Sequence, residues 1–241
     1  MPTRRAGRRL EDGALAGAVN MARDEALLAL RRVPTLRFYR WDVPTLSLGY
    51  FQPASDLPLD AVQERGCAIV RRSTGGKAIL HEAELTYSLC APETGALSGG
   101  PAAAMTAIHE ALGQELARQA GAEVPLRREM PLESDARGSA WCFEDSSPLD
   151  LTLGSRKLLG SAARRKDGWI LFHGSLVLEK PVENPEIAQL GFEPDRDRLT
   201  EAMATALGYD FELGIWQPEE LAKAEEIAAV KYGTAAFTFR R

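Results

Sequence analysis

Two stretches of the chain hold the residue types that chemistry needs. The first, Arg71-Arg72-Ser73-Thr74-Gly75-Gly76-Lys77, sets three cations around a Gly-Gly bend whose bare backbone N–H groups can face a ligand oxygen. That is a cradle for a phosphate or an acyl carbonyl. It matches neither GxxxxGK[ST] nor GxGxxG, so it does not point to nucleotide binding of the P-loop or Rossmann kind. The competing reading of the same spacing is a solvated basic hairpin turn. The second stretch is Trp141-Cys142-Phe143-Glu144-Asp145, a thiol between two aromatic rings with acids behind it. A free thiol, with a pKa of about 8.5, is only a few per cent thiolate at neutral pH, so a nucleophilic cysteine requires a cation nearby. Lys157, just after the turn at Gly154-Ser155, is the best-placed candidate.

The histidines are weaker signals on their own. His81 follows Gly76 by five residues and is either a hydrogen-bond donor to a substrate or a cap on the turn. His173 lies in the apolar run Ile170-Leu171-Phe172-His173-Gly174-Ser175, where a satisfied core histidine is the usual outcome, and Gly174 beside it marks a bulge or a close backbone approach. Cys67 and Cys90 border apolar strands and read as small core residues.

The elements that must position these groups follow from periodicity. Residues 14–32 predict an amphipathic helix with Leu15, Ala18, Val19, Ala22, Ala26 and Ala29 on its buried side and Asn20, Arg23 and Asp24 opposite. Residues 35–41 and 45–51 alternate as strands around an Asp42-Val43-Pro44 turn, a helix is expected near 58–65, and strands at 68–72 and 85–89 flank the Gly-Gly bend. Residues 102–119 predict a helix stopped by Gly121, and 127–140 a loop that delivers the chain to Cys142. The turn signals Gly154-Ser155 and Asp167-Gly168 divide 149–179 into a three-stranded antiparallel meander, and Pro218 opens a helix with Lys231 in its last turn and Gly233 beyond it. Strand pairs joined by short turns rather than crossover helices argue for an α+β fold, a mixed sheet with flanking helices, over a doubly wound one. No linker divides the chain, so one domain over 1–241 is expected.

Composition narrows the function. The 29 Lys plus Arg against 34 Asp plus Glu give a net charge of −5, so there is no global basic field for a nucleic-acid backbone. Three widely spaced cysteines with no CxxC pair fit neither a disulfide framework nor a zinc knuckle, so no metal is expected and reduced cytoplasmic thiols are the default. The N-terminal arginines lead into no apolar run, and the longest uncharged stretch, 94–108, is Gly, Ala, Pro and Ser rather than a membrane span.

Three segments together resemble the lipoate-protein ligase A and octanoyltransferase family, whose domain is related to biotin protein ligases and class II aminoacyl-tRNA synthetases. They are RRSTGGKAILHEAELTYSL (71–89), GSRKLLGSAARRKDGWILFHGSLVLE (154–179) and Trp141-Cys142-Phe143-Glu144. The stretches VNMARDEALL and YGTAAFTFRR are also similar to the octanoyltransferase branch typified by Gram-positive bacteria, as is ELTYS at 84–88. The resemblance implies a class II synthetase-like fold. It also implies a Cys142 thiolate that takes an octanoyl group from octanoyl-acyl carrier protein and passes it to a lysine of a lipoyl-domain protein, such as glycine cleavage H protein or a 2-oxoacid dehydrogenase E2 subunit. Lys157 would then favour the thiolate, help bind the carbonyl and relay a proton, without a cofactor. Backbone N–H groups near Gly160, Ser161 and Ala162 would form part of an oxyanion site, with Arg71, Gly75, Gly76, His81, His173 and Gly174 bordering the acyl tunnel. Arg71, Arg72, Lys77 and the 164–166 cluster would receive acidic carrier proteins.

Two positions depart from the family pattern: Lys77 stands where arginine is common, and Ala163 where glutamine is frequent. Other readings remain open. They are an ATP-dependent lipoate-protein ligase, an amidotransferase moving lipoyl or octanoyl groups between lipoyl-domain proteins, and a non-catalytic acyl-chain or lipoyl-domain binding module.

Overall fold

A computed structural model of the chain describes residues 4–133, 135–136, 138–181 and 186–241; positions 134 and 137 of the expected loop at 127–140 lie outside the described residues. The first element corrects the sequence reading. Residues 5–15 carry no expected strand, yet they form β1 (Arg5–Leu15). Leu10 is its one deeply buried apolar side chain, so the alternation that marks a strand is missing. Long arginines supply the anchoring instead: Arg8 grips Glu220 with two bonds of 2.7 and 2.9 Å, and Arg9 reaches Asp197.

After α1 (Gly17–Leu30) come β2 (Thr35–Trp41), β3 (Thr45–Leu48), α2 (Leu59–Glu64), β4 (Ala68–Arg71), β5 (Ile79–His81), β6 (Glu84–Pro92) and α3 (Pro101–Ala120). Then follow β7 (Leu151–Leu153), β8 (Arg156–Lys166), β9 (Trp169–Val177), α4 (Arg196–Leu207), β10 (Tyr209–Leu213), α5 (Pro218–Ile227), which continues as a wide π turn to Tyr232, and α6 (Ala235–Thr238). The expected meander is β7, β8 and β9, and both residues of its Asp167-Gly168 turn have positive φ, 47° and 76°, as a two-residue hairpin of this hand requires.

The larger sheet runs β10-β1-β2-β6-β9-β8-β7 and the smaller β4-β3-β5. The first three strands of the larger sheet are parallel and the rest antiparallel, a mixed α+β arrangement. Period-two alternation splits β2 between two cores. Leu36 and Phe38 join α3 and α4 on one face, while Tyr39 and Trp41 join α1 and α5 on the other. Between the latter pair and α1 points Arg37, fully buried.

Arg37 overturns the expected orientation of α1. Asn20 and Asp24, read as the solvent side, are 0% and 2% exposed, because Arg37 donates to Asn20 Oδ1 at 2.7 Å and to Asp24 Oδ1 at 2.8 Å. Burial alone would raise the Asp24 carboxyl, but Arg37, His173 and Ser88 together outweigh it and hold the group below its ordinary range. The run 45–51 also ends early as a strand. At Gly49 any Cβ would fall 1.7 Å from the Gly76 carbonyl oxygen, so the chain turns where the two glycines abut. Among the described residues no helix is long and apolar enough to cross a membrane.

Candidate active site

The smaller sheet faces β8 and β9 across a narrow cavity. Gly76, His81, Cys142, Gly160, Ser161, Ala162, His173 and Gly174 all line it, with Met21, Tyr39 and Trp41 as apolar wall. Gly75 is not among the lining residues; its carbonyl accepts a 2.9 Å bond from Arg72.

Cys142 opens a short 3-10 turn, Cys142–Glu144. That turn is laced to the Gly-Gly connection: Cys142 N donates to Ala78 O at 2.8 Å, Ala78 N donates to Ala140 O at 3.1 Å, and Lys77 bonds Ser139 O and pairs with Asp145 at 2.6 Å. Lys157 enters from β8. Its ammonium lies 3.6 Å from Cys142 Sγ, 2.9 Å from Cys142 O and 2.7 Å from Asp150 Oδ2, with 1% of the residue exposed. Burial disfavours the ammonium, but Cys142 and Asp150 overcome that and raise the Lys157 pKa above its ordinary value. The lysine therefore stays a cation beside the sulfur. Trp141 and Phe143 turn the other way, into a wider apolar cavity of about 260 Å³ that shares Ile79 with the first as a wall.

Each of the three histidines is wired to a hydroxyl. His81 bridges Glu84 Oε1 at 2.8 Å and Ser47 Oγ at 2.7 Å and stacks on Trp41 with ring centroids 3.9 Å apart. His173 meets Thr74 Oγ1 at 2.6 Å and faces Asp24 Oδ2 at 3.6 Å, and burial lowers its pKa. His109, on α3, was not singled out by spacing. Burial keeps it neutral, its Nδ1–H donates to Leu149 O, and Nε2 therefore accepts from Ser161 Oγ at 2.7 Å, leaving Tyr87 OH to donate to the same oxygen at 2.7 Å. Gly174 is obligatory in this arrangement, because a Cβ there would lie 2.2 Å from Ser161 Oγ and 2.4 Å from the Tyr87 ring.

The two adjacent arginines separate. Arg71 lies outside the cavity: its guanidinium donates to Gly49 O at 2.7 Å, Gln52 O at 2.6 Å and Thr238 O at 2.9 Å, tying the C-terminal turn to the smaller sheet. Arg72 lines the cavity in its place. It holds the Gly-Gly connection through Gly75 O and Lys77 O, its Nε finds no hydrogen-bond partner among the described residues, and burial pushes its pKa down to about 10. The spacing Arg-Arg cannot show which of two neighbours faces in. Asp150 had a signal, its alternation with Leu149 and Leu151, but alternation alone reads as a solvent-facing position.

The chain matches the lipoyl protein ligase A/B catalytic domain over residues 16–202. It is 31% identical to the octanoyltransferase LipM of Brevibacillus brevis, over 95% of this chain and 96% of that protein. To the octanoyltransferase LipM of Kyrpidia tusciae it is 34% identical, over 97% and 98%. To that of Moorella thermoacetica it is 44% identical over 71% of this chain and 64% of the relative. In structure it superposes on protein Ta0514 of T. acidophilum, solved with bound lipoic acid, with a TM-score of 0.80 at 23% identity, covering 97% of this chain and 99% of that one. A lipoate-protein ligase A bound with ATP gives 0.77 at 23% identity, over 97% and 98%. At that identity the structural likeness speaks for the fold.

Proposed function

The chain belongs to the lipoyl protein ligase A/B catalytic domain family, and on that premise we propose that residues 1–241 act as one catalytic domain that transfers an octanoyl group through a thioester on Cys142. The donor is octanoyl-acyl carrier protein, and the acceptor is a lysine of a lipoyl-domain protein. Curated relatives named octanoyltransferase support the acyl-transfer class. The observation that carries the mechanism is the 3.6 Å contact of the Lys157 ammonium with Cys142 Sγ at the cavity wall.

In the first step the Cys142 thiolate attacks the donor carbonyl, the carbon–sulfur bond to the carrier breaks, and the leaving thiolate takes a proton from the Lys157 ammonium. In the second, the acceptor amine attacks the acyl-enzyme, the Cys142 sulfur leaves, and Lys157 recovers its proton from the attacking nitrogen. Asp150 holds the lysine in position through both. The last β7 pairing partner on β8 is Leu159, so beyond it β8 pairs on the β9 edge. This leaves alternate N–H groups among Gly160, Ser161 and Ala162 for the oxyanion of each tetrahedral intermediate. The octanoyl chain lies along Met21, Tyr39 and Trp41. The thiol chemistry suits a reducing cytoplasm and needs no cofactor.

The test is intact-protein mass after incubation with octanoyl-acyl carrier protein in the absence of ATP. The expected result is a hydroxylamine-labile octanoyl adduct that Cys142→Ala abolishes. No adduct, with transfer to a lipoyl domain appearing only on addition of ATP and free acid, would overturn the reading.

A further inference from the structure

The basic residues that spacing offers for binding acidic proteins are mostly spent. Arg71 and Arg72 are buried on backbone carbonyls, Lys77 pairs with Asp145 at 2.6 Å, and Arg165 pairs with Glu93 at 2.6 Å. One of them, Arg164, instead joins a cationic surface with the C-terminal arginines. Arg240 sits 3.8 Å above the Tyr50 ring and donates to Tyr50 O at 2.8 Å, and Arg164 approaches the same ring at 5.7 Å. Beside them Phe51 is 65% exposed, with Arg241 5.6 Å from its ring.

We propose that the acyl-donating carrier protein docks on this ledge of Tyr50, Phe51, Arg164 and Arg240, beside the turn that bears Cys142. The proposal rests on the acyl-transfer reading above and specifies where its donor binds.

Charge is the first argument. Among the described residues Arg164, Arg240 and Arg241 form no ion pair with a carboxylate, and Arg164 Nη1 is shielded with no hydrogen-bond partner, in a chain whose net charge is −5. The Tyr50 phenol registers the local field, drawn below its ordinary range by a hydrogen bond with Arg240 and by the charges of Arg164 and Lys231. Glu25 is the carboxylate that feels the charge of Arg164, but it does not pair with it. A cationic patch around an exposed phenylalanine and a half-buried tyrosine is what an acidic protein surface recognises, and arginine with tyrosine is the composition of binding hot spots.

Position is the second argument. Gln52, next to Phe51, donates to Ala140 O at 2.9 Å, two residues before Cys142. Tyr50 N donates to Thr74 O at 2.9 Å, and Thr74 holds the cavity residue His173. Arg164 follows Gly160 by four residues along β8, about 13 Å at the usual strand rise. A reacting group delivered on a long prosthetic arm spans that gap, whereas a lysine side chain held flush against the ledge does not. A phosphodiester in such an arm would also meet arginine forks.

The experiment measures single-turnover acylation of Cys142 in the double variant Arg164→Glu/Arg240→Glu with two donors, octanoyl-acyl carrier protein and the small thioester octanoyl-N-acetylcysteamine. The expected result is loading at least about tenfold slower from the carrier protein and unchanged from the small thioester, with the wild-type carrier rate falling toward the variant's as salt is raised. Equal losses with both donors, or no loss with the carrier, would overturn the proposal. So would normal loading followed by slow transfer to a lipoyl domain, which would assign the ledge to the acceptor. If the wild type is loaded by neither donor, it is the acyl-transfer reading that fails, a result distinct from any of these.

Discussion

Lys157 reaches Cys142 by folding back across Gly160. A Cβ on Gly160 would lie 2.7 Å from Lys157 Cε and 2.8 Å from its Nζ, so the absence of a side chain at one residue of β8 creates the space in which the ammonium of another meets the sulfur. The glycine also borders Asp150, whose Oδ1 would be 3.1 Å from that Cβ.

Gly160→Ala should therefore cost activity far more than stability. The atoms displaced are the far end of a flexible side chain, so the melting temperature is expected to fall by only a few degrees. The Cys142 acylation rate should drop by about a hundredfold, because displacing a catalytic group by about 1 Å has that effect. Stopped-flow acylation beside a thermal melt separates the two, and a large fall in stability with a normal rate would refute the assignment.

Asp150→Asn removes the fixed countercharge of a lysine that is 1% exposed. Breaking a buried pair from one side costs about 3 kcal/mol. The folded Lys157 pKa is raised above 10.5, so its contribution is complete below 10.5 and is lost as pH rises through the higher folded value. Urea denaturation should thus show a constant deficit in the variant across neutral pH that narrows only in strong alkali.

Burial depresses the pKa values of both His109 and His173 from 6.5. The unfolded chain then binds protons that the native state refuses, so stability is full above about 6.5 and declines as pH falls, by up to about 1.4 kcal/mol per pH unit for each histidine. His109→Gln should be less stable than wild type at pH 8 yet lose less between pH 7 and 5. Denaturant midpoints across that range check the sign, and parallel curves would contradict it.

Arg71 and Arg72 should part company under substitution. Arg71→Met strands the carbonyls of Gly49, Gln52 and Thr238 and is expected to lower stability by about 3 kcal/mol. Arg72→Lys keeps the charge but loses the fork that holds Gly75 and Lys77, so its main effect should be a higher KM for the acyl donor. Steady-state kinetics with thermal melts on both variants would expose the reverse pattern.

Local chemistry was legible before any coordinates. The turns at Gly154-Ser155 and Asp167-Gly168, the stop at Gly121 and the proline start at Pro218 all depend on backbone preferences that a residue carries with it. The thiol at Cys142 and the cation at Lys157 were named from chemical need, since a neutral thiol is a poor nucleophile without a nearby charge. What could not be read was anything set by a partner distant in the chain. Strand β1 exists because Tyr209–Leu213 and Thr35–Trp41 lie on either side of it, and the buried polar side of α1 exists because Arg37 points at it from β2.

The sequence by itself determined the inventory: a thiol, a cation, a Gly-Gly bend, and strands and helices in nearly the right order. Only the tertiary structure decided which neighbour of each pair faces the cavity, with Arg72 in and Arg71 out, and which hydroxyl each histidine holds. Periodicity records how a residue sits on its own helix or strand. Burial of a charged or polar group is settled by the energy of the partner it meets, and Asp24 with Arg37, Lys157 with Asp150 and His109 with Ser161 each join positions 7 to 52 residues apart.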